Sequence, residues 1–102
     1  MSKITDFAKG KSCTARIPGV CKHDKATSVW CHIRSVRWGA GGSEKPPDVL
    51  GLIADHACHD AIDGRTKKDR EGNLLDPDFV KVCAYEGHME SLYLLHKAGI
   101  IP

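Results

Sequence analysis

Three cysteines, Cys13, Cys21 and Cys58, and two histidines, His32 and His59, are the side chains of this chain best suited to chemistry. A thiolate is a strong zinc donor, and a histidine directly after a ligating cysteine, as His59 follows Cys58, is held in place to act on something else. The pattern reads as a zinc-stapled active site. A closed structural zinc takes four donors, and the fourth here is Asp55 or His56. Asp55 stands three residues before Cys58, the separation of a Cys-x2-Cys knuckle. His56 is the softer and commoner zinc ligand and is slightly favoured. Cys31 is assigned to the core: it adjoins His32 in an expected strand, where neighbours point to opposite faces, so if His32 faces the site Cys31 does not.

The elements that must position these side chains are short, apart from the last. Residues 2–8 can form a helical turn. Cys13 and Cys21 enclose TARIPGV, in which Pro18-Gly19 marks a tight turn that brings the two thiols together. Thr27 to Ile33 is rich in β-branched and aromatic residues and reads as a strand. Arg34-Ser-Val-Arg-Trp38 and the flexible Gly39-Ala-Gly-Gly-Ser43 follow, and Pro46-Pro47 halts any regular element. Val49 to Ala54 is a second apolar run of strand length that delivers the chain to Asp55-His-Ala-Cys-His59. A helix over Cys58 to Asp63 stops at Gly64, and Arg65 to Leu75 is a polar connection. Asp76-Pro77 is a good N-cap and first helical residue. Val82, Tyr85, Met89, Leu92 and His96 then recur at three- and four-residue steps until Gly99. That stripe predicts an amphipathic helix of about five turns with those residues, and Cys83, in the core.

Length and composition bound what such a site can be built from. The chain has 102 residues, 41% of them hydrophobic, with two tryptophans, enough for one small core. A structural zinc would contribute on the order of 10 kcal/mol, comparable with the whole net stability of a small domain. The N-terminus lacks the apolar run of a signal peptide, and no stretch approaches about 18 apolar residues, so a cytoplasmic location is expected. In a reducing compartment five unevenly spaced cysteines favour metal ligation over disulfides. The net charge is only +2, but residues 1–45 hold nine Lys or Arg against three acids and residues 46–102 hold six against ten. A basic half of this kind suits a polyanion as well as it suits plain solvation.

Four blocks, Cys13-Thr-Ala-Arg-Ile-Pro-Gly-Val-Cys21, His32-Ile-Arg34, Lys45-Pro-Pro-Asp48 and Cys58-His-Asp-Ala-Ile-Asp-Gly-Arg65, occur in the order of a known family. Across nearly its whole length the chain resembles the YbcO-like prophage nucleases, related to the RecA-dependent nuclease Ref and to the HNH, or ββα-metal, endonucleases. The resemblance implies a single HNH-like nuclease domain over residues 1–102. Its fold class would be α+β, a small zinc-stapled ββα-metal domain with a long C-terminal helix. It implies that His32 acts as general base on the attacking water, a role suited to a side chain that titrates near neutrality. His59 would bind the catalytic ion, magnesium or another divalent metal, which polarises the scissile phosphate. Asp63, one helical turn after His59, can add a carboxylate to the same ion. Asp48 takes the place of the family's central polar residue, to orient His32 or serve the metal.

Two departures stand out. The only asparagine is Asn73, so the middle letter of HNH is missing and its role falls to Asp48. Asp55 replaces the first knuckle cysteine. Asp60 is read as a capping or orienting residue favoured by the helix dipole. Arg34, Arg37, Arg65, Lys67, Lys68 and Arg70 are candidate phosphate contacts, which would position DNA without reading its sequence. Two functions follow. One is a metal-dependent endonuclease acting on DNA, with help from a recombination protein suggested by the likeness to Ref. The other is a catalytically silent zinc module that binds DNA or a recombination or replication protein.

Overall fold

The computed structural model describes residues 3–35, 37 and 46–102. The glycine-rich stretch 39–43, Lys45, Trp38 and Ser2 lie outside the described residues. Among the described residues, three α-helices and one 3-10 turn accompany a single antiparallel pair of strands. Helix α1 spans Lys3–Phe7, and a single 3-10 turn over Lys25–Thr27 leads into strand β1, Val29–His32. Strand β2 is Gly51–Ala54, helix α2 is His56–Ile62, and helix α3 is Pro77–Lys97. The strands pair antiparallel, with Val29 opposite Ala54, Trp30 opposite Ile53, Cys31 opposite Leu52 and His32 opposite Gly51.

Alternation along these four-residue strands splits the interior in two. Cys31, Leu52 and Ala54 face one cluster, where they meet Cys13, Ile17, Cys21, Cys58 and the start of α3 at Val80, Cys83 and Ala84. Trp30 and Ile53 face the other, packed with Ala8 after α1 and Leu95 near the end of α3. Ile100 and Ile101 fold back onto this second cluster, so the apolar tail is spent inside its own molecule. Gly99, at φ +75°, makes that reversal, and Ile100 N–H reaches back to the Leu95 carbonyl at 3.0 Å.

Helix α3 runs along β2 and satisfies its open edge. The His88 Nδ1–H donates to the Gly51 carbonyl at 2.7 Å, and the Ile53 N–H donates to Ser91 Oγ at 3.0 Å. The Ile53 carbonyl accepts from the Thr14 hydroxyl at 2.8 Å and from the Thr14 N–H at 2.9 Å. An edge that would otherwise recruit a further strand is thereby closed by side chains.

The face that α3 buries is not the one the apolar stripe predicts. Val80, Cys83, Ala84, Gly87, Ser91 and Leu95 are buried, whereas Val82, Tyr85 and Met89 are exposed, Met89 by 65%. Size decides this. The helix lies so close to β2 that a Cβ on Gly87 would stand 2.8 Å from Leu52 Cδ1 and 3.0 Å from Thr14 Oγ1. Small residues permit that approach around Gly87 and leave Val82, Tyr85 and Met89 outside, while Val80 and Leu95 are buried towards the two ends and Leu92 packs against the second cluster.

Candidate functional site

The loop from Cys13 to Cys21 closes as its turn chemistry requires. Gly19 has φ +75°, and the Val20 and Cys21 N–H groups donate to the Ile17 carbonyl at 3.1 and 2.9 Å. The start of α2 comes to meet it. Asp55 is the N-cap of that helix, and its Oδ1 accepts from the Cys58 N–H at 2.9 Å. Its Oδ2 accepts from the Lys22 N–H at 2.9 Å, from the Asp24 N–H at 3.5 Å and from the Cys21 thiol at 3.6 Å. One carboxylate therefore ties the cysteine loop to the helix that carries Cys58.

The outcome is a buried group of four donors. The sulfurs of Cys13, Cys21 and Cys58 and one oxygen of Asp55 all lie within 4.8 Å of one another. His56 is outside it: its ring is 74% exposed and pairs with Asp60 at 3.3 Å. The preference for His56 as fourth donor is thus corrected, because the N-cap position points the Asp55 side chain into the helix start while the first helical residue points outward. Asp60 in turn lies beyond the first turn and caps nothing. It holds His56 and the Arg65 guanidinium, the latter at 3.0 Å.

The electrostatics of the four-donor group suit a cation. The hydrogen bond from Cys58 holds the Cys13 thiol down to about 5, and Cys58 is pushed up by the same bond and by burial. Burial pushes Cys21 up to about 11. Burial also opposes ionisation of Asp55, but the N–H groups of Cys58, Lys22 and Asp24 outweigh it and hold the carboxyl below the usual carboxylate range. A carboxylate offers about four lone-pair sites, so these bonds leave Asp55 able to bind an ion as well. Three sulfurs and a carboxylate, all buried, form a set that can hold a metal.

A second group includes His59, the neighbour of Cys58 in the chain. The Cys31 sulfur, a ring nitrogen of His59 and a carboxylate oxygen of Asp63 all lie within 4.8 Å of one another. His59 and Asp63 are one helical turn apart, with Nε2 and Oδ2 at 3.1 Å, and Asp63 is the C-cap of α2. The Arg65 Nη2 lies 3.1 Å from the same Asp63 oxygen. Burial pushes the Cys31 thiol up to about 12.

Cys31 lies in the core as expected, and its sulfur is also gathered with His59 and Asp63. His32, the next residue along β1, is not one of those three donors. It is paired with Asp48, the residue expected to orient it or serve the metal, Nε2 to Oδ1 at 2.9 Å, and is only 11% exposed. Asp48 is held by its backbone, since the Trp30 Nε1–H donates to its carbonyl at 2.7 Å. Gly51 makes room for that indole, because a Cβ there would collide with Trp30 Nε1. The register of the hairpin is the signal that could have found Cys31. It sets Cys31 opposite Leu52, on the face that α2 covers.

A cavity of about 520 Å³ opens beside Asp63, lined by Ile33, Arg34, Arg65, Lys81 and Tyr85 among others. Of the candidate phosphate contacts, Arg34 and Arg65 reach this cavity, although Arg65 is also bound to Asp60 and Asp63. Arg70 is drawn into the cysteine loop, its Nη1 donating to the Cys21 carbonyl at 3.1 Å. Arg37, Lys67 and Lys68 are exposed.

Together these features define a small mixed α+β protein with a two-stranded sheet, a long C-terminal helix and a buried cysteine cluster that can hold a metal. The family model described as "Putative nuclease YbcO" matches residues 2–100, and the chain belongs to that family. The "Putative nuclease YbcO" of Escherichia coli strain K12 and the "Putative nuclease ybcO" of Enterobacteria phage 82 are each 40% identical to it over 101 residues. Those matches cover 99% of this chain and 98% of each relative. A solved structure, of a bacteriophage protein from Escherichia coli K-12 substrain MG1655, matches with a TM-score of 0.75 and 40% identity. It covers 93% of this chain and 98% of its own.

Proposed function

We propose that this chain is a metal-dependent endonuclease of the HNH type, a single nuclease domain of phage or prophage origin that hydrolyses DNA phosphodiester bonds in the host cytoplasm. The observation that carries this reading is a division of labour between two donor groups. A buried set of four, Cys13, Cys21, Asp55 and Cys58, has the closed composition of a structural zinc, and His59 and Asp63 belong to a second set, of which Asp63 lines a cavity with Arg34, Arg65 and Lys81. The names of the relatives support a nuclease.

The residues divide as follows. His59 and Asp63 would hold a divalent ion, which when bound stabilises negative charge on the phosphate and on the departing oxygen. Asp48 Oδ1 accepts from the Nε2–H of His32, which leaves Nδ1 to take a proton from the attacking water. The water oxygen bonds to phosphorus, the bond to one ester oxygen breaks, and the carboxylate of Asp48 offsets the positive charge acquired by the ring. Asp48 so fills the place of the missing asparagine as an orienting group. Arg34 and Lys81 supply fixed positive charge along the cavity for the phosphates on either side, and Arg65 keeps the Asp63 carboxylate in place. No helix among the described residues is long and apolar enough to cross a membrane, in keeping with a DNA substrate.

The test is nicking of supercoiled plasmid with added divalent ions. The wild-type chain converts it to open circle, and His32→Ala and His59→Ala each lower the rate at least about a hundredfold while zinc content and melting stay unchanged. A wild-type protein that nicks nothing under any divalent ion, yet binds DNA equally well in both variants, would instead make this a silent zinc module serving a recombination or replication protein.

A further inference from the structure

Of the two buried thiols that the four-donor group does not use, Cys83 packs in the core of α3 and Cys31 stands beside other donors. Cys31 is fully buried on β1, and its sulfur is gathered with the His59 ring and the Asp63 carboxylate. We infer that Cys31 is the third protein ligand of the ion held by His59 and Asp63, and that this centre takes a thiophilic transition ion of the zinc or cobalt type in preference to magnesium.

Donor chemistry sets the preference. Magnesium is a hard cation that takes oxygen ligands in near-ideal octahedra and keeps several of its waters, so a sulfur and an imbalance of one carboxylate to two softer donors suit it poorly. A sulfur, an imidazole nitrogen and a carboxylate oxygen are the three ligand types that zinc accepts, and transition ions generally bind N and S donors more tightly. The count matters as well. Four protein donors leave no place for substrate in the first group, whereas three donors are the number that zinc enzymes use when the remaining position belongs to water or substrate. Position agrees, since Asp63 borders the cavity lined by Arg34 and Lys81, where a phosphate oxygen can approach.

The role assigned to the ion rests on the nuclease reading; its binding through Cys31 does not. Full-length protein purified with its structural zinc is titrated with cobalt(II), the zinc content being followed by native mass spectrometry. One cobalt is expected to bind per chain beside one retained zinc, with a thiolate-to-cobalt charge-transfer band in the near ultraviolet and a sulfur neighbour in the cobalt-edge absorption fine structure. Cys31→Ser is expected to lose the band and to bind cobalt about tenfold or more weakly. Cys31→Asp, which keeps an anionic donor, loses the band but gains magnesium-supported nicking relative to the wild type. The wild-type fine structure stands as evidence even if either variant fails to fold.

A cobalt bound beside intact zinc with no sulfur neighbour would overturn the inference, as would full wild-type nicking with magnesium as the sole added ion. The second result would leave the nuclease reading intact. Conversely, a sulfur-ligated cobalt in a protein that nicks DNA under no ion would uphold the ligand assignment and end the nuclease reading.

Discussion

Asp55 holds more of this structure together than its single carboxylate suggests. It caps α2, receives the Lys22 N–H and touches the Cys21 thiol, all while fully buried. Asp55→Ala leaves those N–H groups without a partner, and a loss of about 2 kcal/mol or more is expected from the shift in urea midpoint. The folded state depresses the pKa of Asp55, so its electrostatic contribution is complete above the ordinary aspartate value, about 3.9, and fades as pH falls through the folded value. Asp55→Asn keeps a capping oxygen but no charge, and its stability should decline less steeply on acidification over that window. The reading of residues 55 and 56 shows where the sequence stops. Three-residue spacing and ligand softness name both as donors, but only the position of the helix start tells which one turns inward.

At the scale of elements, two glycines define close approaches with separate consequences. Gly51→Ala should push the Trp30 indole off the Asp48 carbonyl, so nicking falls while zinc content persists. Trp30→Phe, which removes the donor without adding bulk, should lower nicking in the same direction. Gly87→Val drives methyl groups into Leu52 and Thr14, and about 1–3 kcal/mol of stability should be lost in thermal or urea unfolding. By contrast Met89→Gln, on the exposed side of α3, should change stability by no more than about 0.5 kcal/mol. These outcomes would be reversed had the apolar stripe of α3 been its buried face. The helix itself was legible from Asp76-Pro77 to Gly99, with observed bounds of Pro77–Lys97. Its orientation was not, because periodicity registers apolar side chains, whereas the close approach at the middle of the helix selects small ones, Ala84, Gly87 and Ser91.

For the whole molecule, metal binding and folding are coupled in the reading given above. Two strands of four residues and a core divided between two clusters leave little to replace a metal if the ion is withdrawn. Treatment with a strong chelator should therefore abolish the cooperative thermal transition, and added zinc should restore it. Cys21, pushed up to about 11, and Cys58, pushed up further, must shed protons to bind an ion. Zinc affinity is accordingly expected to rise with pH, with protons released on binding in isothermal titrations run in buffers of different ionisation enthalpy.

Short-range chemistry in the sequence determined the two strands, both ends of the last helix, the turn at Pro18-Gly19 and the candidate ligands among cysteines and histidines. Such features depend on neighbours a few residues away, where backbone sterics and capping leave few choices. Tertiary structure alone decided that Asp55 rather than His56 joins the thiols, that Cys31 meets His59 and Asp63, and that α3 buries Ala84, Gly87 and Ser91 while Val82, Tyr85 and Met89 stay exposed. Each of those depends on the register of β1 against β2 or on how closely two backbones approach, and distance through space is not recorded in distance along the chain.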